Sequence, residues 1–207
     1  MMSWTVKSLV LPIVLLCMWR LQEVAQACTC GPAHPQTAFC QADVVIKAKV
    51  LAKNNVIGLD EPIMYDLKQI KMFKGPRREI DALYTTAFCG VTLTKGMQYL
   101  ITGRLTPDGA LHAIVCDFIV PWGDLTASQK VNLAQRYQKG CDCRITLCHM
   151  DPCKRSSPAE CLWTDFLTYR GKNEQANHFA CVKRSDGSCV WIRGTPDKNG
   201  KVNVKSR

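Results

Sequence analysis

The first half of the chain alternates apolar and polar residues with the two-residue period of a β-strand. In residues 44–53, VVIKAKVLAK, every second residue from Val44 to Val50 is apolar, with Lys47 and Lys49 between them. Because successive side chains of a strand point to opposite faces, this pattern predicts a half-buried strand whose lysines face water. Further runs predict four more strands, at 63–73, 79–87, 97–105 and 110–120.

Turn residues separate these runs. Lys-Gly-Pro at 74–76 closes the run at 63–73, and Thr-Pro-Asp-Gly at 106–109 predicts a hairpin turn between 97–105 and 110–120. Several short strands at this spacing favour a small barrel or a sandwich.

One helix is predicted at residues 127–139. Thr126 and Gln129 form a capping-box pattern at its start, and Gly140 supplies a C-terminal stop. Because its apolar residues share one face, the helix is expected to pack beside the strands.

The pattern changes near Gly140. Five cysteines are spread from Cys28 to Cys116, whereas seven crowd into residues 141–189. Strand signals become short, and residues 184–194 predict a hairpin that turns at Asp-Gly. We therefore expect two modules, the second rich in loops and held by disulfides, followed by a polar, basic and mobile tail.

Residues 1–27 have the pattern of a secretory signal peptide, with a basic start, an apolar stretch and a small-x-small triplet ending at Ala27. Cleavage there makes Cys28 the first residue of an extracellular protein. A bacterial lipoprotein signal also ends before a cysteine, but it usually has a large aliphatic residue where this chain has Ala25. No stretch is long enough for a mature membrane span.

The cysteine count and the net charge indicate disulfides and acidic binding partners. Cleavage leaves twelve cysteines, and an even number in an exported chain indicates up to six disulfides. It also leaves 25 basic and 16 acidic residues, a net charge near +9. This charge favours acidic partners, and export favours heparan sulfate or another acidic matrix polysaccharide over nucleic acid. A cationic surface that only maintains solubility fits equally well.

Motifs for catalysis are absent. The sequence has no HExxH, GxSxG, P-loop or GxGxxG pattern, so no enzyme activity and no cofactor of its own are predicted. The four histidines are scattered, which is typical of surface or hydrogen-bonding histidines. Four cysteines in residues 141–153, CDCRITLCHMDPC, have spacings that fit no standard zinc finger, and export favours disulfides there.

The candidate site is the new N-terminus. A free Cys28 carries an α-amino group with a pKa of about 7.7–8.0, so near neutral pH it can serve as a nitrogen ligand. Its amine and its own carbonyl oxygen form a five-membered chelate. Held rigidly by bridges from Cys28 and Cys30, the pair suits a catalytic zinc in another protein, which keeps an exchangeable water. The simpler alternative is that Cys28 only anchors a loose terminus. Pro32 and Pro35 are expected to stiffen an extended strand beyond it.

The segment 28–40, Cys-Thr-Cys-x-Pro-x-His-Pro-Gln-x-Ala-Phe-Cys, resembles the start of the tissue inhibitors of metalloproteinases. The similarity continues through ADVVIKAKV, QIKMFKGP, CDFIVPW, RYQKGCDC, SSPAECLWTD and FACVKRSDGSCVW, and covers residues 28–194. Within the family, the chain resembles the second vertebrate member.

This resemblance implies a mainly β fold with flanking helices. Residues 28–141 would form a netrin-type inhibitory module with a five-stranded OB-like barrel, residues 142–194 a small disulfide-rich module, and residues 195–207 the basic tail. It also implies six disulfides: Cys28–Cys89, Cys30–Cys116, Cys40–Cys141, Cys143–Cys189, Cys148–Cys153 and Cys161–Cys181.

The resemblance also implies a mode of inhibition. The amine and carbonyl of Cys28 would bind the zinc of the target protease in trans and displace its water. Thr29 would enter the pocket for the residue after the scissile bond, and Cys30, Gly31 and Pro32 would continue along the cleft like a substrate. A second contact segment would consist of Thr86, Ala87, Phe88 and Cys89. Since no scissile bond lies over the zinc, the complex would be non-productive.

Three features depart from the family pattern. Gly31 stands where relatives have a side chain, which would alter protease preference. The segment 51–64 is shorter than in the second member. The tail is basic, whereas the acidic tail of that member engages the hemopexin-like domain of a progelatinase, so progelatinase binding is not expected here.

Two hypotheses follow. The first is a secreted, monomeric inhibitor of matrix metalloproteinases. The second is a netrin-type matrix or heparin-binding module without inhibition. Only the first requires a free amine on Cys28.

Overall fold

The computed structural model describes residues 28–55, 63–167 and 173–195. The predicted signal peptide lies outside these residues, as do residues 56–62 of the shortened segment and residues 196–207 of the predicted tail.

Five strands form a closed barrel, which confirms the mainly β fold. The strands are β1 (Val44–Asn55), β2 (Ile63–Lys74), β3 (Ala82–Thr85), β4 (Gln98–Leu105) and β5 (Leu111–His112). Their order is β1-β2-β3-β5-β4, and β4 pairs again with β1 to close the sheet. The short strand β6 (Val120–Pro121) adds to β4 outside this ring.

The period-2 pattern of β1 places its apolar residues inside the barrel. Val44, Ile46, Ala48 and Val50 all belong to the buried cluster that fills it. Three register shifts interrupt the pairing of β1 with β2. Because a bulge bends a strand and increases its twist, these shifts let a twelve-residue strand curve around the barrel.

The predicted strand at 110–120 is wrong over most of its length, because strand pairing covers only 111–112 and 120–121. Between them, Asp117 accepts a hydrogen bond from the backbone N–H of Ile114 at 2.9 Å, and the Thr102 hydroxyl accepts one from Phe118 at 2.8 Å. These side-chain bonds replace the strand ladder and turn the chain. The prediction at 79–87 shortens to Ala82–Thr85.

The predicted helix begins where expected, with both halves of the Thr126–Gln129 capping box present. Here it is the second of three described helices: α1 (Pro35–Gln41), α2 (Ala127–Gln135) and α3 (Glu174–His178). It ends before residue 139, and a 3-10 turn, Gln138–Gly140, follows.

Helix α1 contradicts the expected extended strand beyond Pro32. Pro35 occupies the first turn, where its fixed φ and missing N–H suit a helix. His34 precedes it as the N-cap, and its Nδ1 accepts a hydrogen bond from the backbone N–H of Gln36 at 3.1 Å.

Beyond residue 141 the chain forms two small sheets. Strands β7 (Arg144–Leu147) and β8 (Glu160–Trp163) pair in parallel, which sequence analysis did not predict. Strands β9 (Phe179–Lys183) and β10 (Cys189–Arg193) form the predicted hairpin, although it begins earlier than 184. Gly187 in its turn has φ +83°, a conformation that glycine adopts without strain.

Gln36 joins these sheets to the barrel region. Its buried side-chain amide donates to the carbonyl oxygens of Gly140 at 3.0 Å and Cys181 at 2.7 Å, and accepts from the Cys181 N–H at 2.7 Å. A Cβ at Gly140 would lie 1.9 Å from the Cys181 carbonyl oxygen, so this approach requires glycine. Ala180 of β9 also lies in the buried cluster between the barrel and α2.

Six disulfides are present among the described residues, and they are the six pairs that the resemblance implies. Among these residues, no helix is long and apolar enough to cross a membrane.

Candidate functional site

The opening segment, residues 28–33, is exposed yet fixed to the barrel at two points. Cys28 is half-buried, and Thr29, Cys30, Gly31 and Pro32 are exposed. The disulfide Cys28–Cys89 closes a sequence separation of 61 residues, and Cys30–Cys116 closes one of 86. Two disulfide bridges therefore replace the buried contacts that ordinarily order a terminal segment.

The loop that receives Cys28 is itself held by buried hydrogen bonds. At the end of β3, the Thr85 hydroxyl donates to the carbonyl oxygen of Ala113 at 2.7 Å and accepts from the N–H of Val91 at 3.0 Å. At Gly90 a Cβ would lie 1.9 Å from the Thr86 carbonyl oxygen. Glycine at 90 therefore allows residues 86–89 to form a tight turn at the barrel surface.

This turn contains the second predicted contact segment. Thr86, Ala87 and Phe88 are exposed, while Cys89 is half-buried. The Cys89 N–H donates to the Thr86 hydroxyl at 3.3 Å, and the sulfur of Cys28 lies 3.6 Å from the carbonyl oxygen of Phe88. The structure thus places both predicted segments side by side.

The loop that receives Cys30 lies beside the same turn. The N–H of Val115 donates to the carbonyl oxygen of Cys89 at 2.9 Å, which joins the two loops. Burial raises the pKa of Asp117 in this loop, while its bond to the Ile114 N–H and the nearby Arg104 lower it. The Asp117 carboxylate therefore has a structural role in this turn.

Three apolar side chains protrude along these loops. Phe88 is 82% exposed, Val115 47% and Ile114 39%. The sequence predicts a contact at Phe88, whereas its pattern places Ile114 and Val115 in a strand. The available signal in the sequence is that Ile114 and Val115 lie directly before Cys116. Because Cys116 is bridged to Cys30, its neighbours in the chain lie close to the opening segment. Exposed apolar groups beside a rigid backbone suit docking against another protein.

A cleft of roughly 410 Å³ lies behind the opening segment, with Gly31, Ala33, His112 and Asp117 among its lining residues. A Cβ added at Gly31 meets no atom within 4 Å. This position therefore tolerates a side chain sterically.

His34 ends the exposed segment and is buried. Its Nε2 lies 3.1 Å from the carbonyl oxygen of Gln175, so this nitrogen donates while Nδ1 accepts from Gln36. Trp163 and Trp191 pack against the ring, with centroid distances of 5.4 and 5.1 Å. Burial lowers the pKa of His34 to about 4, against the raising effects of the Gln175 bond and the Asp165 charge. The histidine is therefore neutral and structural near pH 7.

The described residues contain one cluster of three potential metal ligands, Cys143, Cys181 and Cys189. All three sulfurs are in disulfides, which removes the thiolates that a metal would need. The cysteines of 141–153 are also bridged, to Cys40, Cys189 and within the segment. The backbone nitrogen and carbonyl oxygen of Cys28 lie at the half-buried start of the exposed opening segment.

The family comparison and the comparison with individual proteins agree with each other. Residues 26–191 match the family model described as tissue inhibitor of metalloproteinase. The chain is 50% identical to Metalloproteinase inhibitor 2 of Cavia porcellus and 49% identical to that of Homo sapiens, with 99% of each chain covered in both cases. It is 47% identical to Metalloproteinase inhibitor 2 of Gallus gallus, over 87% of this chain and 89% of the relative.

Proposed function

We propose that this chain inhibits zinc metalloproteinases through the free N-terminus of Cys28. The chain belongs to the tissue inhibitor of metalloproteinase family and is therefore an inhibitor rather than an enzyme. The observation that carries this mechanism is an exposed opening segment tethered by two disulfides, Cys28–Cys89 and Cys30–Cys116. Matrix metalloproteinases are the proposed targets.

Removal of the signal peptide creates the metal-binding group. In the precursor the nitrogen of Cys28 is an amide and a poor ligand, whereas after cleavage it is an amine with a pKa of about 7.7–8.0. This amine and the Cys28 carbonyl oxygen would bind the protease zinc in trans and replace its exchangeable water. Because that water is the nucleophile of the protease, its displacement stops hydrolysis.

The remaining predicted contacts follow from the direction of the segment. Thr29 would enter the pocket for the residue after the scissile bond, and Cys30, Gly31 and Pro32 would extend along the cleft. Thr86, Ala87, Phe88 and Cys89 would contact the cleft on the other side of the zinc. Their position directly beside Cys28 supports this arrangement.

Affinity would come mainly from preorganisation. A free peptide loses backbone entropy of about 1–2 kcal/mol per residue when it becomes ordered in a cleft. A segment already fixed at Cys28 and Cys30 avoids much of this cost, so more of the interaction energy remains as affinity. The protease cannot cleave the segment, since the zinc faces an amine and not a peptide bond.

We assign inhibition to residues 28–141 and regard 142–194 as a second module, with 195–207 as a basic tail. The separate disulfide-lined cluster of the second module supports this division, although Gln36 and Ala180 join the two. The protein would be secreted, act as a monomer in the extracellular matrix, and bind heparan sulfate or a similar polysaccharide. Progelatinase binding through the basic tail is not proposed.

The alternative is a netrin-type matrix module that binds polysaccharide without inhibition. The two hypotheses differ in their need for the free amine. In the test, the mature chain with one extra alanine before Cys28 is compared with a control that has one extra alanine after Arg207. We expect the N-terminal extension to weaken inhibition of a matrix metalloproteinase by at least about a hundredfold, since it removes the chelating amine. Equal inhibition by both extended chains would reject the chelation mechanism.

A further inference from the structure

We propose that Thr85 is a positioning residue for inhibition, because its buried hydroxyl fixes the distance between the two loops that hold the opening segment. The first tether loop consists of residues 86–91 and the second tether loop of residues 113–118. This role rests on the proposed function, since Thr85 would act by holding Cys28 in place for the protease zinc.

Each tether loop carries one of the cysteines that anchor the opening segment. Cys28 is bridged to Cys89 in the first tether loop, with 5.8 Å between the Cα atoms. Cys30 is bridged to Cys116 in the second tether loop, with 5.3 Å between the Cα atoms. Because Cys28 and Cys30 are two residues apart, their Cα atoms are separated by at most about 7 Å. The distance between the two loops therefore determines where the first residue of the segment is held.

The Thr85 hydroxyl joins the two loops directly. It donates to the carbonyl oxygen of Ala113 at 2.7 Å and accepts from the N–H of Val91 at 3.0 Å. These bonds use the donor and an acceptor lone pair of the hydroxyl. Thr85 is 1% exposed, so water cannot readily replace the hydroxyl. Its removal would leave one backbone group in each loop without this partner.

Thr85 lies where the pairing of the two parent strands gives way to the loops. Strands β3 and β5 are parallel and pair at Tyr84 and His112. The Ala113 N–H then donates to the Tyr84 carbonyl oxygen at 3.1 Å. One residue further on, the Thr85 side chain makes the bond to the Ala113 carbonyl oxygen. The hydroxyl therefore extends the contact between β3 and β5 into the tether loops.

Gly90 allows the first tether loop to fold back onto this hydroxyl. A Cβ at residue 90 would lie 3.0 Å from the Thr85 Oγ1 and 1.9 Å from the Thr86 carbonyl oxygen. The chain can therefore return from Cys89 to Val91 at this distance only if residue 90 lacks a side chain. Glycine permits the close approach, and the threonine hydroxyl fixes it.

Tyr65 offers a matched comparison, because its hydroxyl also makes two hydrogen bonds to backbone groups. It donates to the carbonyl oxygen of Val91 at 3.1 Å and accepts from the N–H of Leu93 at 3.2 Å. Tyr65 is as deeply buried as Thr85. Both of its partners lie in residues 91–93, outside the second tether loop. Tyr65 therefore supports the end of the barrel without setting the distance between the loops.

The test uses single variants of the mature full chain. Thr85→Val keeps the shape of the side chain, Thr85→Ala removes the hydroxyl without placing a methyl group there, and Thr85→Ser keeps the hydroxyl. Tyr65→Phe is the matched control. The inhibition constant for the catalytic domain of a matrix metalloproteinase and the melting temperature are measured for each variant. Hydrogen exchange of the Val115 amide, which donates to the Cys89 carbonyl oxygen at 2.9 Å, reports the contact between the loops.

We expect Thr85→Val and Thr85→Ala to raise the inhibition constant at least about tenfold, because the opening segment must then be ordered on binding. Both should also speed exchange of the Val115 amide, whereas Thr85→Ser should restore native exchange and inhibition. Tyr65→Phe should lower the melting temperature by a similar amount but raise the inhibition constant less than about threefold. A purely structural role of Thr85 would lower the melting temperature alone, since a stable variant stays folded during the assay.

Native inhibition by Thr85→Val and Thr85→Ala would overturn the proposal, and so would an equal loss of inhibition in Tyr65→Phe. The two hydroxyl-free variants are also made in the chain with one extra alanine before Cys28. There they should change inhibition by less than about twofold, because the amine that Thr85 positions is no longer present. A full tenfold loss in that background would show that Thr85 does not act through Cys28.

Failure of the zinc mechanism gives a different result. In that case the extra alanine before Cys28 leaves inhibition native, whatever the residue at position 85. Weaker inhibition by Thr85→Val with rescue by Thr85→Ser would then still assign the positioning of the opening segment to Thr85.

Discussion

Residues 28–33 and residues 34–41 are adjacent in the chain but are ordered by different means. The first segment is exposed from Thr29 onward and is held by two disulfides. The second begins with His34 and Gln36, each 1% exposed and hydrogen-bonded to residues beyond 139. A binding segment can therefore be rigid without being buried, provided that covalent links supply the constraint.

Removing one of the two disulfides that hold residues 28–33 should have the largest effect. Replacing Cys30 and Cys116 by serine opens a loop of 86 residues and should lower the free energy of unfolding by roughly 4–5 kcal/mol in the chain-entropy model. It should also weaken protease inhibition by more than about tenfold, because the segment must then be ordered on binding. Denaturant unfolding and inhibition assays measure the two effects.

The matched control replaces Cys148 and Cys153, which close only five residues in the second module. It should cost about 2 kcal/mol and leave inhibition unchanged. If both double variants inhibit equally well, the tethers do not contribute to binding.

The second prediction concerns the buried segment, residues 34–41. Gln36→Ala removes the side-chain partner of the Cys181 N–H and carbonyl oxygen and one of the two hydrogen bonds to the Gly140 carbonyl oxygen, which keeps its bond from the Cys143 N–H. We expect the free energy of unfolding to fall by about 2–4 kcal/mol, since buried polar groups become unsatisfied. Inhibition by the folded variant should remain native. Gln41→Ala at the exposed end of α1 is the control and should change stability by less than about 0.5 kcal/mol.

The third prediction concerns pH. Because burial lowers the pKa of His34 from 6.5 to about 4, the unfolded chain binds a proton between these values and the folded chain does not. The free energy of unfolding should therefore fall as the pH drops from 6.5 to 4, by at most about 3 kcal/mol from this residue. His34→Asn retains a capping side chain and should flatten the pH dependence, whereas exposed His149→Asn should not. An unchanged slope in His34→Asn would contradict the assignment.

The smallest effect is expected at Phe88. Its side chain is 82% exposed, so Phe88→Ala should leave the melting temperature unchanged. Inhibition should weaken by roughly tenfold if the ring becomes buried against the protease. Phe166→Ala, at a 52% exposed position in the second module, is the control. Equal inhibition by the two variants would remove Phe88 from the proposed contact.

The regular elements could be predicted because their signals are local. The alternation in β1, the capping box of α2 and the Asp-Gly turn before β10 each depend on residues close in sequence. Helix α1 was missed because its cap is the ring of His34, a residue whose position depends on Gln175 and two tryptophans. The turn after β5 is not evident from the sequence, because two of its hydrogen bonds involve Thr102, which is distant in sequence.

Only part of the candidate site could be predicted from the sequence. Cleavage at Ala27 and the chemistry of an amine point to Cys28 from sequence alone. Which cysteines it meets does not follow from spacing, and the pairing came from family resemblance. The neighbouring Ile114 and Val115 were not recognised, since their exposure depends on the turn that replaces the predicted strand.

A crystal structure of the mature chain bound to the catalytic domain of a matrix metalloproteinase would test zinc chelation by Cys28 directly. We predict the Cys28 amine nitrogen at about 2.0–2.1 Å from the protease zinc, with the Cys28 carbonyl oxygen as a second ligand and no water on the metal. A complex in which the zinc keeps its water and Cys28 lies away from it would contradict the mechanism.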